Sequence, residues 1–260
     1  MSEKDCRLLE SSGFIIMDGC ALHVHERLIG DIVETEPMFH FDGYEQNPND
    51  GRLFDALAGE FSSKKITVRA TKDGCREILA DGNVIVKVKG REVIALNLLQ
   101  TEYIGPDFLK DNRSLRVMKA PSLQKVGDYF LQHNNTLEVF EAQYLRTVGM
   151  GFLAGNNVMT QLSLPKLKTA HHYFLYSNNV LKKLDLPDLK RAGNYFLRSN
   201  NSLEMLNLPS LEEVWDYFMA ENTSLEMLDA PKLVAAGNDF LKSNRKVKTN
   251  APIAETIFRK

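Results

Sequence analysis

The sequence predicts a repeat solenoid, short parallel strands stacked coil on coil behind a non-repetitive β-rich N-terminal segment. Three observations predict it. Phe108, Phe130, Phe152, Phe174, Phe196, Phe218 and Phe240 recur at a spacing of 22 residues without a slip. Four residues after each stands an asparagine: Asn112, Asn134, Asn156, Asn178, Asn200, Asn222 and Asn244. Three further on comes an apolar residue: Leu115, Leu137, Met159, Leu181, Leu203, Leu225 or Val247. Self-similarity at a fixed period of this length marks supersecondary units that bury their apolar faces only by stacking on one another.

Within one unit the pattern is Asn-x-x-Leu-x-x-Leu-x-Leu-Pro-x-Leu, as from Asn178 to Leu189. The Leu-x-Leu portion alternates inward and outward as a strand does, and Pro187 or Pro209 ends it because proline cannot donate to a ladder. Units stacked at strand spacing form a parallel sheet rising ~4.8 Å per repeat. The asparagines have a structural reading. A buried turn must satisfy its backbone groups, and an amide side chain both donates and accepts, so stacked asparagines bond the turns of their own and neighbouring units. Gly127, Gly149, Gly193 and Gly237 share another phase, where the expectation is a turn with positive φ; His171 and Trp215 replace glycine there.

Three regions follow. Residues 1–88 are expected to form an N-terminal cap or a small β-rich domain, residues 89–250 a solenoid of about seven repeats, and residues 251–260 a C-terminal cap. In the first region "ALHVHERL", "PMFHFDGY" and "KKITVRA" are strand candidates, and "NDGRLFDALAGEF" (Asn49 to Phe61) is a short helix capped by Asn49 or Asp50. "REILADGNVIVKVKG" (Arg76 to Gly90) predicts a hairpin turning at Asp81-Gly82-Asn83. "VIALNL" (Val93 to Leu98) falls on the strand phase one unit upstream of Leu115, so stacking starts there. At the other end "APIAETIFRK" leaves the repeat, and Ile253, Ile257 and Phe258 are expected to close the core as a short helix.

The cadence resembles the leucine-rich repeats, and within them the BspA-like subclass known mainly from bacteria and some protists. That family runs Leu-x-x-Ile-x-Ile-Pro, a spacer, then Ile-Gly-x-x-Ala-Phe-x-x-Cys. "LKKLDLP" (Leu181 to Pro187) resembles the first half, and "VGDYFLQHN" (Val126 to Asn134) and "AGNYFLRSN" (Ala192 to Asn200) the second. Asparagine stands where that family often has cysteine, and the repeat is one residue shorter. The resemblance implies an interaction scaffold with non-catalytic repeats, among relatives that include surface adhesins and secreted effectors.

Composition and motifs narrow the function. A net charge of −2 gives no general attraction for polyanions. Cys6, Cys20 and Cys75 are an odd set at irregular spacing, which fits free thiols in a reducing compartment. The start "MSEKDCRLLESSGF" lacks a basic segment leading into an apolar one, so the expectation is a cytoplasmic protein or one exported without a standard signal peptide. No apolar run approaches membrane-spanning length. In a strand His23 and His25 share one face and Cys20 the other, a poor metal set, so no metal or other cofactor is expected. "GMGFLAG" (Gly149 to Gly155) imitates a phosphate loop, but Gly149 and Phe152 are repeat positions. His171-His172 has no nucleophile or acid paired with it and reads as a surface accident. The glycosylation sequons at Asn112, Asn134, Asn200 and Asn222 are by-products of the asparagine phase.

What remains is the outward side of the strands. Val117, Val139, Gln161, Lys183, Met205 and Met227 form one outward column, apolar for an exposed sheet. Lys119, Glu141, Ser163, Asp185, Asn207 and Asp229 form its neighbour. From these the expected partner-binding residues are Val117, Val139, Glu141, Gln161, Lys183, Asp185, Met205, Asn207, Met227 and Asp229. The methionines are adaptable contacts suited to a protein surface. Neither column is predominantly basic, which argues against a nucleic-acid groove. Tyr129, Tyr173, Tyr195 and Tyr217 make a further column before the repeat phenylalanines. The leading expectation is therefore a non-enzymatic protein-binding solenoid, with an effector or host-interaction role as its elaboration. The alternatives are a small ligand-binding or enzymatic activity in residues 1–90, and self-association through the sheet.

Overall fold

The computed structural model describes the backbone of three strands within residues 14–40 and, apart from residues 54, 55, 58, 63 and 91, residues 53–253. The cap positions Asn49 and Asp50, the side chains of Cys6, Cys20, His23 and His25, and Ile257 and Phe258 lie outside the described residues. Strands Phe14–Met17, Cys20–Ile29 and Ile32–His40 form an antiparallel sheet. Residues 53, 56, 57 and 59–61 are helical. Ile66–Ala70, Cys75–Ala80, Asn83–Lys89 and Glu92–Asn97 then form an antiparallel meander, turning at Asp81 and Gly82, both with positive φ. Glu92–Asn97 pairs in parallel with Val117–Lys119 on its other side, so the meander runs edge-on into the repeats.

Seven coils follow, numbered here by their phenylalanines from Phe108 (coil 1) to Phe240 (coil 7). Each coil has three hydrogen-bonded sides. The first carries a two-residue strand, and Tyr103–Ile104, Lys125–Val126, Thr147–Val148, Thr169–Ala170, Arg191–Ala192, Glu213–Val214 and Ala235–Ala236 form an unbroken seven-stranded parallel sheet. The second is the strand face, with the three-residue strands Val117–Lys119, Val139–Glu141, Gln161–Ser163, Lys183–Asp185, Met205–Asn207 and Met227–Asp229. The sequence predicts one continuous sheet here, but pairing is lost between Val139–Glu141 and Gln161–Ser163 and again between Lys183–Asp185 and Met205–Asn207. The coils stay in register across both openings because their other two sides remain bonded.

The third side was not legible in the sequence. Three residues of every coil, at alternate positions, have positive φ; in coil 4 they are Tyr173 (57°), Leu175 (49°) and Ser177 (57°). A left-handed non-glycine residue costs about 1–3 kcal/mol and persists only where its surroundings over-determine it. Here neighbouring coils do so. Tyr173 N–H donates to Asn194 O (2.9 Å) and Ser177 N–H to Arg198 O (3.0 Å) in the next coil, while Leu175 N–H donates back to Phe152 O (3.0 Å).

The left-handed leucine turns its carbonyl inward, and the ladder asparagine of the following coil meets it. Asn134 Nδ2 donates to Leu109 O (2.7 Å), Asn156 to Leu131 O (2.9 Å), Asn178 to Leu153 O (3.0 Å) and Asn200 to Leu175 O (2.9 Å). Asn222 and Asn244 repeat this on Leu197 O and Met219 O. The acceptor half is used less. Asn178 Oδ1 takes the backbone N–H of Asn156 and Asn222 Oδ1 that of Asn200, whereas Oδ1 of Asn134, Asn156, Asn200 and Asn244 makes no hydrogen bond. The Oδ1 rung is missing at both openings of the strand face, but equally at the first and last steps, where the strands stay paired. Asn112 stands at the start of the stack, and its Oδ1 caps its own turn through the N–H groups of Ser114 and Leu115.

Inside the coils the phenylalanines stack from Phe108 to Phe240 with centroids 5.0–5.7 Å apart and planes within 12°. Offset stacking adds to their area burial. One contiguous core runs from Leu53 in the helix to Ala251. Glu60 is buried in it, and its Oε1 accepts the N–H of Gln100 (2.7 Å), the N–H of Thr101 (2.9 Å) and the Thr101 hydroxyl (2.9 Å). A helix carboxylate thus ties the N-terminal segment to the approach to coil 1.

Gly127, Gly149, Gly193 and Gly237 do not have positive φ, contrary to the sequence expectation. Their reason is close approach. A Cβ on Gly193 would lie 2.8 Å from the backbone carbon of His171 in the coil before, and one on Gly237 2.7 Å from that of Trp215. Gly105, at the same phase with no coil before it, has nothing within 4 Å of its Cβ position. His171 and Trp215 fit because each is flanked by glycine in the coils on both sides.

Two predictions follow from this packing. Asn178→Ala should lower unfolding stability by about 1–3 kcal/mol by leaving the Leu153 carbonyl unsatisfied, and Asn178→Asp, which keeps the acceptor and loses the donor, should cost at least as much at neutral pH. An unchanged denaturation midpoint for either would contradict the donor role. Gly193→Ala should cost about 1–3 kcal/mol through overpacking, and Gly105→Ala should stay within about 0.5 kcal/mol of wild type. Equal effects in urea unfolding would show that stacking clearance is not the cause.

Candidate functional site

On the strand face every three-residue strand buries its central side chain, and the four inner ones expose both residues beside it, because alternate residues point to opposite sides. Val139, Gln161, Lys183, Met205 and Met227 of the first column are exposed, and Val117 is half-buried. Glu141, Ser163, Asp185 and Asn207 of the second are exposed, and Asp229 is half-buried. Met205 is 68% exposed, Met227 38% and Val139 37%, so the apolar column faces solvent.

The second column is bonded along the stack. Lys119 Nζ lies 3.0 Å from Glu141 Oε2, Ser163 Oγ donates to Asp185 Oδ2 (2.8 Å), and Asn250 Nδ2 donates to Asp229 Oδ1 (2.6 Å). These are exposed contacts that set side-chain direction more than stability.

Across the first opening lies a groove of about 890 Å³. Val139, Glu141, Gln161, Ser163, Lys183 and Asp185 line it, Pro121 and Pro165 flank it, and Phe140, Leu162 and Leu184 lie beneath. It brings together Val139, Glu141, Gln161, Lys183 and Asp185 of the expected binding residues. Val117 does not line it, and Met205, Asn207, Met227 and Asp229 continue the same face on later coils. The prolines were missed as site residues, since the sequence marks them only as strand ends.

The left-handed side carries the tyrosine column. Tyr173 stacks on Tyr195 and Tyr195 on Tyr217, each with centroids 4.8 Å apart. The Arg198 guanidinium lies 5.5 Å from the Tyr195 centroid, beside the stack, and holds Glu221 through a two-pronged ion pair (Nη2–Oε1 2.7 Å, Nε–Oε2 3.1 Å), with Ser199 Oγ also donating to Glu221. Hydrogen bonding from Arg198 holds the Glu221 carboxyl below its usual range, and Glu221 in turn raises the Arg198 guanidinium.

Other chemistry-like signals take structural roles. In "GMGFLAG" the N–H groups of Met150, Gly151, Leu153, Ala154 and Gly155 are already bonded within the protein, which leaves them none to offer a phosphate. The rings of Tyr129 and His133 lean over Gly151 and Gly155, which is why those two positions of coil 3 are glycine. His172 is not a surface accident: its Nδ1 accepts the Asn194 N–H (3.0 Å), and its ring lies 5.3 Å from that of Trp215. Asp128, Asn194 and Asp216 occupy the same phase and accept the corresponding N–H of the next coil. Of the sequon asparagines, Asn134, Asn200 and Asn222 are fully buried and bonded through Nδ2, the atom a glycan would need. Cys75 is buried as a free thiol.

No family model matches the chain, and no curated protein matches it. Solved structures do. The leucine-rich repeat protein of T. pallidum is similar with a TM-score of 0.56 at 15% identity, over 75% of this chain and 92% of that one. A leucine-rich repeat protein from Bacteroides ovatus is similar with a TM-score of 0.37 at 15% identity, over 74% of this chain and 71% of that one. The first of these likenesses, with the stacked parallel strands, shows a leucine-rich-repeat fold.

Proposed function

We propose that the protein is a non-enzymatic protein-binding scaffold whose contact face is the outward side of the three-residue strands. The observation that carries this reading is the groove over the first opening of that face, continued toward coil 6 by the exposed Met205 and Met227. Its floor is apolar and its rim polar and of mixed sign, the composition of a protein contact rather than of a polyanion track. A bacterial effector or host-interaction role is the finer reading, supported by the resemblance of the repeats to the BspA-like subclass. With it goes a cytoplasmic location, or export without a standard signal peptide.

The test compares wild type with Val139→Glu/Met205→Glu/Met227→Glu and, as a control on the two-residue strands, Thr147→Glu/Arg191→Glu. Circular dichroism establishes that both variants fold. A partner cross-linked to wild type in lysate, then purified and titrated by calorimetry, should bind the control like wild type and the face variant at least about tenfold more weakly. Equal binding by the face variant would move the contact elsewhere. A concentration-dependent mass for the protein alone, abolished by the face variant, would make that face a self-association surface instead.

A further inference from the structure

In the tyrosine column every ring but one has a cation of the same chain within 6.0 Å of its centroid. Lys110 Nζ lies 4.7 Å from the Tyr129 centroid, the Arg198 guanidinium 5.5 Å from Tyr195 and 6.0 Å from Tyr217, and Lys242 Nζ 5.6 Å from Tyr217. The negative face of an aromatic ring attracts such groups, guanidinium above all. The exception is Tyr173.

The repeat explains the exception. Lys110, Arg198 and Lys242 occupy one phase. Lys110 and Arg198 reach the tyrosine of the following coil, Tyr129 and Tyr217, Arg198 also reaches Tyr195 of its own coil, and Lys242 reaches Tyr217 of the coil before. The residue of that phase is Ala154 in the coil before Tyr173 and the uncharged Tyr176 in its own coil, while Arg198 of the coil after is turned to Tyr195 and Tyr217. Gly151 and Gly155 beside Ala154 are side-chain-free as well. Nothing from Gly149 to Gly155 carries a charge. Tyr173 stacks one face on Tyr195 and meets Tyr176 edge-on, with centroids 5.9 Å apart and planes at 81°. Among the described residues no other ring or cation lies against it, and at 38% it is the tyrosine of the column that stands exposed.

We infer that Tyr173, with Tyr176 as the edge of an aromatic corner, receives the guanidinium or ammonium group of an arginine or lysine side chain on a partner protein. The incoming group takes the place over Tyr173 that Arg198 takes over Tyr217. An anion is a poor occupant, because the N–H groups of the adjoining loop are spent on the coil ladders. The site lies on a different side of each coil from the strand-face groove and stands whether or not that face binds a partner.

The test uses the full chain with isotope-labelled tyrosine rings, titrated with a capped Gly-Arg-Gly peptide and with the same peptide carrying neutral citrulline for arginine. The arginine peptide should give a saturable shift of the Tyr173 and Tyr176 ring signals, at least about threefold larger than citrulline gives at equal concentration. Ala154→Arg, which puts at this phase the residue that coil 5 already carries there, should supply the cation internally and abolish the response. Tyr173→Leu should abolish the Tyr176 response, and Val139→Glu/Met205→Glu/Met227→Glu should leave both signals responding. Equal shifts with arginine and citrulline, no shift at Tyr173, or an undiminished response in folded Ala154→Arg would each overturn the proposal. Should Ala154→Arg not fold, the comparison of the two peptides on wild type decides it alone.

Discussion

The hydrogen bond from a buried asparagine amide to the carbonyl of a left-handed leucine, or of Met219 at the last step, in the coil before is the interaction on which this solenoid depends. Asn178 on Leu153 is one instance, and five other coil steps repeat it. Each coil holds three residues at positive φ, a conformation that an isolated unit has no means of sustaining. The groups that hold it come from the coils on either side, so no coil is stable by itself and the stack forms as a cooperative array. The same dependence fixes the repeat length. An inserted residue would carry the asparagine past the carbonyl it must meet and the phenylalanine off the ring it stacks on.

That rigidity is unevenly distributed, and the uneven part is where the candidate surface lies. The two-residue strands and the left-handed segments bond every coil to the next. The strand face lets go at two steps, and the groove forms over the first. Side chains on this face are also released from the repeat: the core phase reads Phe140, Leu162, Leu184, while beside it stand Val139, Gln161, Lys183 and then Met205. A scaffold that fixes its backbone by internal residues alone leaves its outer columns free to differ from coil to coil, which a specific contact surface requires.

What the sequence disclosed follows from this division. Phe, Asn and Leu were legible because each recurs at one phase of the coil, so the period exposes them. The outward columns were legible because a strand alternates. Gly127 and Gly193 were placed in the wrong category because positive φ and close backbone approach both demand glycine, and only the coil beneath distinguishes them. The true left-handed residues were hidden, since Tyr173, Leu175 and Ser177 have no compositional preference for that conformation and are held there by neighbours 22 residues away. The openings of the strand face were equally hidden, because the phase continues unchanged through Gln161 and Met205. Glu60 is the opposite case, a charge that composition places at the surface and that the Gln100–Thr101 backbone draws into the core.

The measurement that tests this account most directly is hydrogen exchange at the asparagine side-chain amides. Asn156, Asn178, Asn200 and Asn222 should exchange as slowly as the most protected backbone amides, because their Nδ2 protons are released only when coils separate. Asn135, Asn157, Asn179 and Asn201, one residue further along and exposed, should exchange at rates near those of free amides. Fast exchange at both sets would mean that the buried amides are not bonded across the coils, and would contradict the claim that they hold the stack in register.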